Sequence, residues 1–302
     1  MALTGVERAG SKIIKNVLLS ALLVAGLTLS AGCGAARGRE SYTVRLGGAQ
    51  IAAELVDSWL GDAKSANFIV NDVGPIFMSQ NGFQNLREGR CDIACTDRKI
   101  TVREYADFGE QKLRGYRVAF YGFALYVNPE NPIDSIYAGH LKLLFQRKLM
   151  DWKQLGTPFE GAIRLIGPEK STRGGMILMQ QARIWFDKPT WETLPSDRAI
   201  VQAVTEDPYA LGFAGIGFDQ EGARYVGLRM ERTAKPAFPS LEEVESERYG
   251  LAKVIYLYMP AEPTPATDAV LEYLFSEDGR RSMESTQVWQ IARERAQVEL
   301  PK

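Results

Sequence analysis

The chain is short of the residues from which most active sites are made. It has one histidine, His140, and three cysteines among 302 residues. A single imidazole leaves no His-rich metal cluster and argues against a Ser-His-Asp device. Cys91 and Cys95 fall in CDIACTD, which reads as a buried strand. Four residues along a strand span roughly 13 Å, too far for a disulfide, so two small buried thiols without a redox role are expected. Neither sign of charge dominates: 36 basic and 37 acidic residues leave a net of −1, which excludes the electrostatic footprint of a nucleic-acid binder and a polybasic membrane patch. No Walker-type loop is present, because the glycines at 174–175 lack the Gly-Lys-Ser/Thr order. No internal repeat occurs, no nucleophile–base pair stands out, and neither a cofactor nor a metal is expected.

What is present begins with a leader. Arg8, Lys12 and Lys15 precede an uncharged apolar stretch from Val17 to Leu29, followed by Ser30-Ala31-Gly32-Cys33. A basic flank, a short apolar core and small residues at the end make a signal peptide over residues 1–32. The core is too short to favour a spanning helix. The junction resembles the bacterial lipobox, with Leu29 one place early and Ser30 where leucine is commonest. It implies a lipid on Cys33, whose two acyl chains would anchor durably, and residues 33–40 then form a tether. Without the leader the chain keeps 33 basic and 36 acidic residues, a net of −3.

The remainder alternates strands and helices, which argues for an α/β class with a mainly parallel sheet. Strands are predicted at Tyr42–Leu46, Phe68–Val73, Cys91–Thr96, Val118–Asn128, Ile163–Ile166, Leu211–Phe218 and Lys253–Met259. Helices are predicted from Ile51 to Leu60, over FQNLREG, from Leu141 to Met150, from Ser171 through Phe186, over Arg198–Val204 and from Ala266 to Phe275. Met78-Ser79-Gln80-Asn81-Gly82 reads as a loop, Asp207-Pro208 as a helix-ending turn, and Glu242, Glu243, Glu245 and Glu247 as a solvated helix face. Trp152, Tyr116, Tyr121 and Tyr126 read as core or hinge packing, and His140 as a surface residue preceding a helix.

Six stretches in order carry a family resemblance: NGFQNLREGRCDIACTDRKI, FYGFALYVNPENPI, HLKLLFQRKLMDWKQLG, AIVQAVTEDPYALGFAGIGF, YGLAKVIYLYM and LFSEDGRRSME, running from residue 81 to 284. They resemble the phosphate-binding protein of bacterial phosphate ABC importers. That resemblance implies a two-lobed class II periplasmic-binding-protein fold with mixed, mainly parallel sheets and two hinge crossovers. Lobe 1 would take residues 41–123 plus 249–302, and lobe 2 residues 124–248. The ligand would sit between them at loops and helix starts.

The implied shell matches in part. The family's Gly-Ser-Thr loop reads Gly47-Gly48-Ala49-Gln50 here, so backbone N–H groups near Gly48 and Ala49 remain without the hydroxyls. Ser79 matches the family serine, although Gln80-Asn81 replace small residues. Asp97 matches the carboxylate that accepts the proton of hydrogen phosphate, and Arg98 follows as a candidate for charge balance. In the second lobe Pro168 stands where the family often has arginine. Lys170 or Arg173 would supply the charge, Ser171 and Thr172 the hydroxyls, and Gly174 a backbone donor; Ser171 also suits a helix cap. An acceptor-only carboxylate is matched by a ligand that still carries a proton and not by sulfate. The expected role is an exported, lipid-anchored binding protein of the periplasm or cell surface. It would take phosphate or a similar oxyanion and pass it to an ABC permease. The alternative is a sensory or interaction lipoprotein on the same fold with a changed or lost ligand.

Overall fold

Unbroken apolar runs put two long strands at the centre of the molecule. The computed structural model describes residues 39–74, 78–169, 175, 178–179, 190–218 and 222–301. The leader with Cys33, and the segment holding Lys170, Ser171, Thr172, Arg173 and Gly174, lie outside the described residues.

The first half is built from β1 (Glu40–Gly48), α1 (Gln50–Gly61), β2 (Ala66–Asp72), α2 (Ser79–Arg87), β3 (Ile93–Thr96), the short α3 (Val102–Ala106) and β4 (Leu113–Val127). β1 lies between β2 and β3, parallel to both. α1 turns Ala52, Leu55, Val56, Trp59 and Leu60 inward, the helical stripe that the sequence spacing predicts.

The second half holds β5 (Ser135–Tyr137), α4 (Ala138–Phe145), β6 (Arg164–Pro168), β7 (Glu192–Leu194), α5 (Asp197–Thr205), β8 (Ala210–Gly215), β9 (Arg224–Arg229) and α6 (Leu241–Glu245). The chain then returns through β10 (Ala252–Pro260), α7 (Pro265–Leu274), α8 (Glu277–Ser285) and β11 (Trp289–Gln290). β4 joins the halves. It pairs antiparallel with β10 through Leu113–Gly122, then with β8 from Phe123 to Val127. The sheet runs β2-β1-β3-β10-β4-β8-β6-β7. It is mixed, and antiparallel pairing is more extensive than expected, because β4 and β10 oppose their neighbours on both sides.

Several elements differ from expectation. Ser79–Gly82 are the first turn of α2, not a loop. α4 starts at Ala138, so His140 lies inside it, half-buried. β5, β7 and β9 were not predicted. The acidic run is only partly solvated: Glu245 accepts from Arg117 Nη1 at 2.5 Å and lies 3.9 Å from Lys99 Nζ. Trp152 is fully buried, donating to the Tyr209 carbonyl at 3.1 Å, and Tyr126 donates to the Gly215 carbonyl at 2.6 Å. Both are packing residues, as expected. Among the described residues no helix is long and apolar enough to cross a membrane.

Candidate functional site

Three chain segments converge at the carboxyl ends of β1 and β3. Gly48 has φ +133°, and an added Cβ would lie 2.0 Å from the Cys95 carbonyl oxygen. Only glycine fits that approach. Gly82 of α2 packs directly on it, its own added Cβ falling 2.8 Å from the Gly48 Cα. Two facing glycines thus lower the start of α2 onto the strand ends. Ser79, 4% exposed, then meets Asp97: the serine Oγ donates to Asp97 Oδ1 at 2.5 Å, and the Asp97 N–H donates to the same Oγ at 3.1 Å.

The two helices entering this corner, like α4 in the second half, start without a side-chain cap. α1 and α2 begin at Ala49 and Met78, neither of which caps with its side chain. α3, α5, α6, α7 and α8 are all capped, by Thr101, Ser196, Ser240, Thr264 and Ser276. A helix start without a side-chain cap leaves N–H donors and the positive end of the dipole for another acceptor.

Two expected members are committed elsewhere. The Ala49 N–H donates to the Cys95 carbonyl at 2.9 Å, because β1 and β3 continue to pair up to that point. The Arg98 guanidinium forks onto Glu104, Nη1 to Oε2 at 2.8 Å and Nη2 to Oε1 at 2.7 Å, and lies over the Phe83 ring. That bidentate, charge-assisted pair holds the Glu104 carboxyl down at about 2. Arg98 is therefore a brace for the loop after β3 rather than a balancing charge. Glu104 itself is held by a capping box legible in the sequence, Thr101-Val102-Arg103-Glu104, and both reciprocal bonds form.

Other groups surround Asp97 that the sequence reading did not select. A cavity of about 720 Å³ opens beside it, with Lys99, Lys253, Glu245, Tyr256 and Met230 in its walls. Gly48, Ala49 and Ser79 do not line that space. Lys253 had a visible signal, being a lone charge within an apolar strand. Tyr121 is buried, and burial first, then the Asp97 charge, push its phenol well above the ordinary value. Such a phenol keeps its proton and stays a donor. Cys91 and Cys95 are both buried free thiols, and burial raises Cys91 to about 12. They lie far from reactive thiolate character.

In the second half, β6 ends at Pro168, buried, with its carbonyl accepting from Trp191 Nε1 at 3.0 Å. No cation replaces the family arginine at that position. Asp197, the first residue of α5, lies at the end of β8, beside β6. Its side chain is 4% exposed, Oδ2 has no hydrogen-bond partner, and an added Cβ on Gly215 would be 2.6 Å from that oxygen. Burial raises this carboxyl from 3.8 to about 6, and the Gly215 backbone N–H offsets only part of the effect.

The mixed α/β frame gathers a hydroxyl–carboxylate pair and two uncapped helix starts at its strand ends, an arrangement suited to holding an anionic ligand. Residues 35–278 match the PBP superfamily domain, and the chain belongs to that superfamily of binding proteins, which are not enzymes. The phosphate-binding protein PstS of Bacillus subtilis is 23% identical over 291 residues, covering 90% of this chain and 93% of its own. Protein SphX of Synechocystis is 24% identical, covering 87% and 81%. A solved structure described as a possible phosphate binding protein from Planctomyces limnophilus superposes with a TM-score of 0.64 at 18% identity, covering 84% of this chain and 95% of that one.

Proposed function

We propose that the protein is an exported binding lipoprotein, anchored through Cys33, that captures inorganic phosphate or a similar oxyanion for an ABC importer. The observation that carries this reading is the Ser79–Asp97 pair at the uncapped starts of α1 and α2. Helix N–H groups favour the anion, while Asp97 accepts the proton that hydrogen phosphate retains. Sulfate lacks that proton and leaves the carboxylate facing a like charge, a mismatch that costs several-fold or more in affinity. Relatives named as phosphate-binding proteins, matched over 93% and 78% of their own length, support the same ligand. By the family resemblance, Ser171, Thr172, Arg173 and Gly174 would complete the shell. Lobes of 41–123 plus 249–302 and of 124–248 would close over the ligand by bending where β4 changes partners.

The test is calorimetric titration of residues 34–302 with phosphate and with sulfate. Saturable heat with phosphate and none with sulfate is expected. No heat at millimolar phosphate would sink the reading. A second reading, a sensory or interaction lipoprotein with a changed ligand, is favoured by Arg98 being held by Glu104 and by Pro168 replacing a cation. It predicts no heat with phosphate and recovery of a crosslinked partner other than an ABC permease.

A further inference from the structure

Many arginines are matched by a carboxylate: Arg45 pairs with Asp92, Arg114 with Asp268 and Arg164 with Glu192. A cluster at the start of α4 is not. β5 and β9 run parallel with Tyr137 opposite Arg229, and α4 starts immediately after Tyr137 without a side-chain cap. The Arg232 guanidinium lies over the Tyr137 ring, 5.1 Å from its centroid, and the His140 ring meets the same ring edge-on at 5.4 Å. Arg229 Nη1 donates to the Arg232 carbonyl at 2.6 Å, which fixes the two arginines together, while Arg229 Nε is buried with no acceptor. Among the described residues no carboxylate forms an ion pair with Arg229 or Arg232, including the adjacent Glu231. Gly139 lets the tyrosine ring lie against the helix start, since an added Cβ would come within 2.3 Å of it.

We propose that Arg229, Arg232 and His140, gathered around Tyr137 at the start of α4, form a second oxyanion site that takes a phosphate group. Two features define that chemistry. The Arg232 guanidinium and the Arg229 Nη2, the nitrogen not bonded to the Arg232 carbonyl, present charged N–H donors suited to phosphate. The uncapped start of α4 adds its dipole. The arrangement is strained by like charge: burial first, then Arg232 and Arg229, hold the His140 imidazole below its ordinary value. A bound dianion would relieve that repulsion and let the imidazole take up a proton. The site uses neither Ser79 nor Asp97 and does not rest on their reading, although its neighbours Ala138, Leu228 and Met230 line the same cavity as Asp97. The phosphate group has two possible sources, free phosphate in solution and a lipid headgroup.

His140 is the one histidine of the chain, so its imidazole signals in NMR need no assignment. The experiment follows its titration in the parent and in the Asp97→Asn chain, and the arginine double variant, which leaves Ser79 and Asp97 unchanged, separates the two sites. Spectra are taken in chloride, in inorganic phosphate at equal ionic strength, and with phosphatidylglycerol-containing vesicles set against neutral ones. An upward displacement of the His140 midpoint by roughly half a pH unit or more is expected in at least one arm. Response to phosphate assigns the soluble source, and response to the vesicles the headgroup. The R229Q/R232Q double variant, whose fold is checked by unchanged unfolding midpoint, should lose the response. An equal displacement in chloride, no displacement in either arm, or a full response in the double variant would overturn the proposal.

Discussion

Asp197 offers a quantitative check on the electrostatics of the second half. Its carboxyl lies 4% exposed against Gly215 with Oδ2 unpartnered, and burial lifts it from 3.8 to about 6. In the folded chain it keeps its proton to higher pH than in the unfolded chain. Stability is therefore greatest below about 3.8, is lost as pH rises toward about 6, and is level above that. At about 1.36 kcal/mol per pH unit, the full cost reached near neutrality is about 3 kcal/mol. The helix dipole at the first turn of α5, worth roughly 0.3–1 kcal/mol, works to reduce it. Asp197→Asn keeps the shape and removes the titration. Urea unfolding of both proteins at fixed pH values from 4 to 7.5 gives the difference in stability at each pH. Any constant loss from the unmatched amide cancels in the trend. The variant should gain on the parent by about 2–3 kcal/mol between pH 4 and pH 7 and by nothing further above that. Parallel curves would refute the reasoning, because they would mean that the carboxyl titrates alike in both states.

The Arg98–Glu104 brace has the opposite sign. Its folded carboxyl is depressed to about 2, so its contribution is present above 4.5 and is lost as pH falls from there toward about 2. Glu104→Gln should remove about 1–2 kcal/mol at pH 7, discounted because the Arg98 side chain is 34% exposed, and should flatten the acid limb of the unfolding curve. Gly48→Ala forces a side chain into the Cys95 carbonyl at φ +133°; a loss of about 3 kcal/mol or more is expected in thermal or urea unfolding. Ser79→Ala removes the donor to Asp97 and should weaken phosphate binding by roughly tenfold in calorimetry. Asp97→Asn should narrow the preference for phosphate over sulfate more than it lowers stability.

Long periodic segments were legible in the sequence because their own side chains determine them. α1, β4 and β10 each bury a stripe or run that a window of ten residues contains. The start of α2 was not legible, since Gln80-Asn81-Gly82 has the composition of a turn and becomes helical only where Gly82 can rest on Gly48. β9 was missed because Arg224, Gly227 and Arg229 interrupt its apolar pattern. Arg224 instead bonds the Asn131 and Ile133 carbonyls. Of the site, Ser79 and Asp97 were selected through their place in the family pattern, and the structure brings them together. That Arg98 turns away to Glu104 depends on a partner six residues on, across a loop. Nothing in SDRAIVQAV says that Asp197 is buried, because an acid at a helix start is ordinarily on the surface.

β4 carries one further consequence. Its fifteen residues set the pairing of β10 along one stretch and of β8 along the next. Both halves of the sheet are thereby measured out on one ruler. Inserting a single residue near Gly122 would advance every partner of β8 by one place while leaving those of β10 fixed. It would also turn each following side chain to the other face. β4 already holds one extra residue, Val118, against the Ile255–Tyr256 step of β10, and a second would have to bulge out in the same way. The register beyond that bulge, more than the identity of any residue in β4, is what keeps β10 and β8 in step.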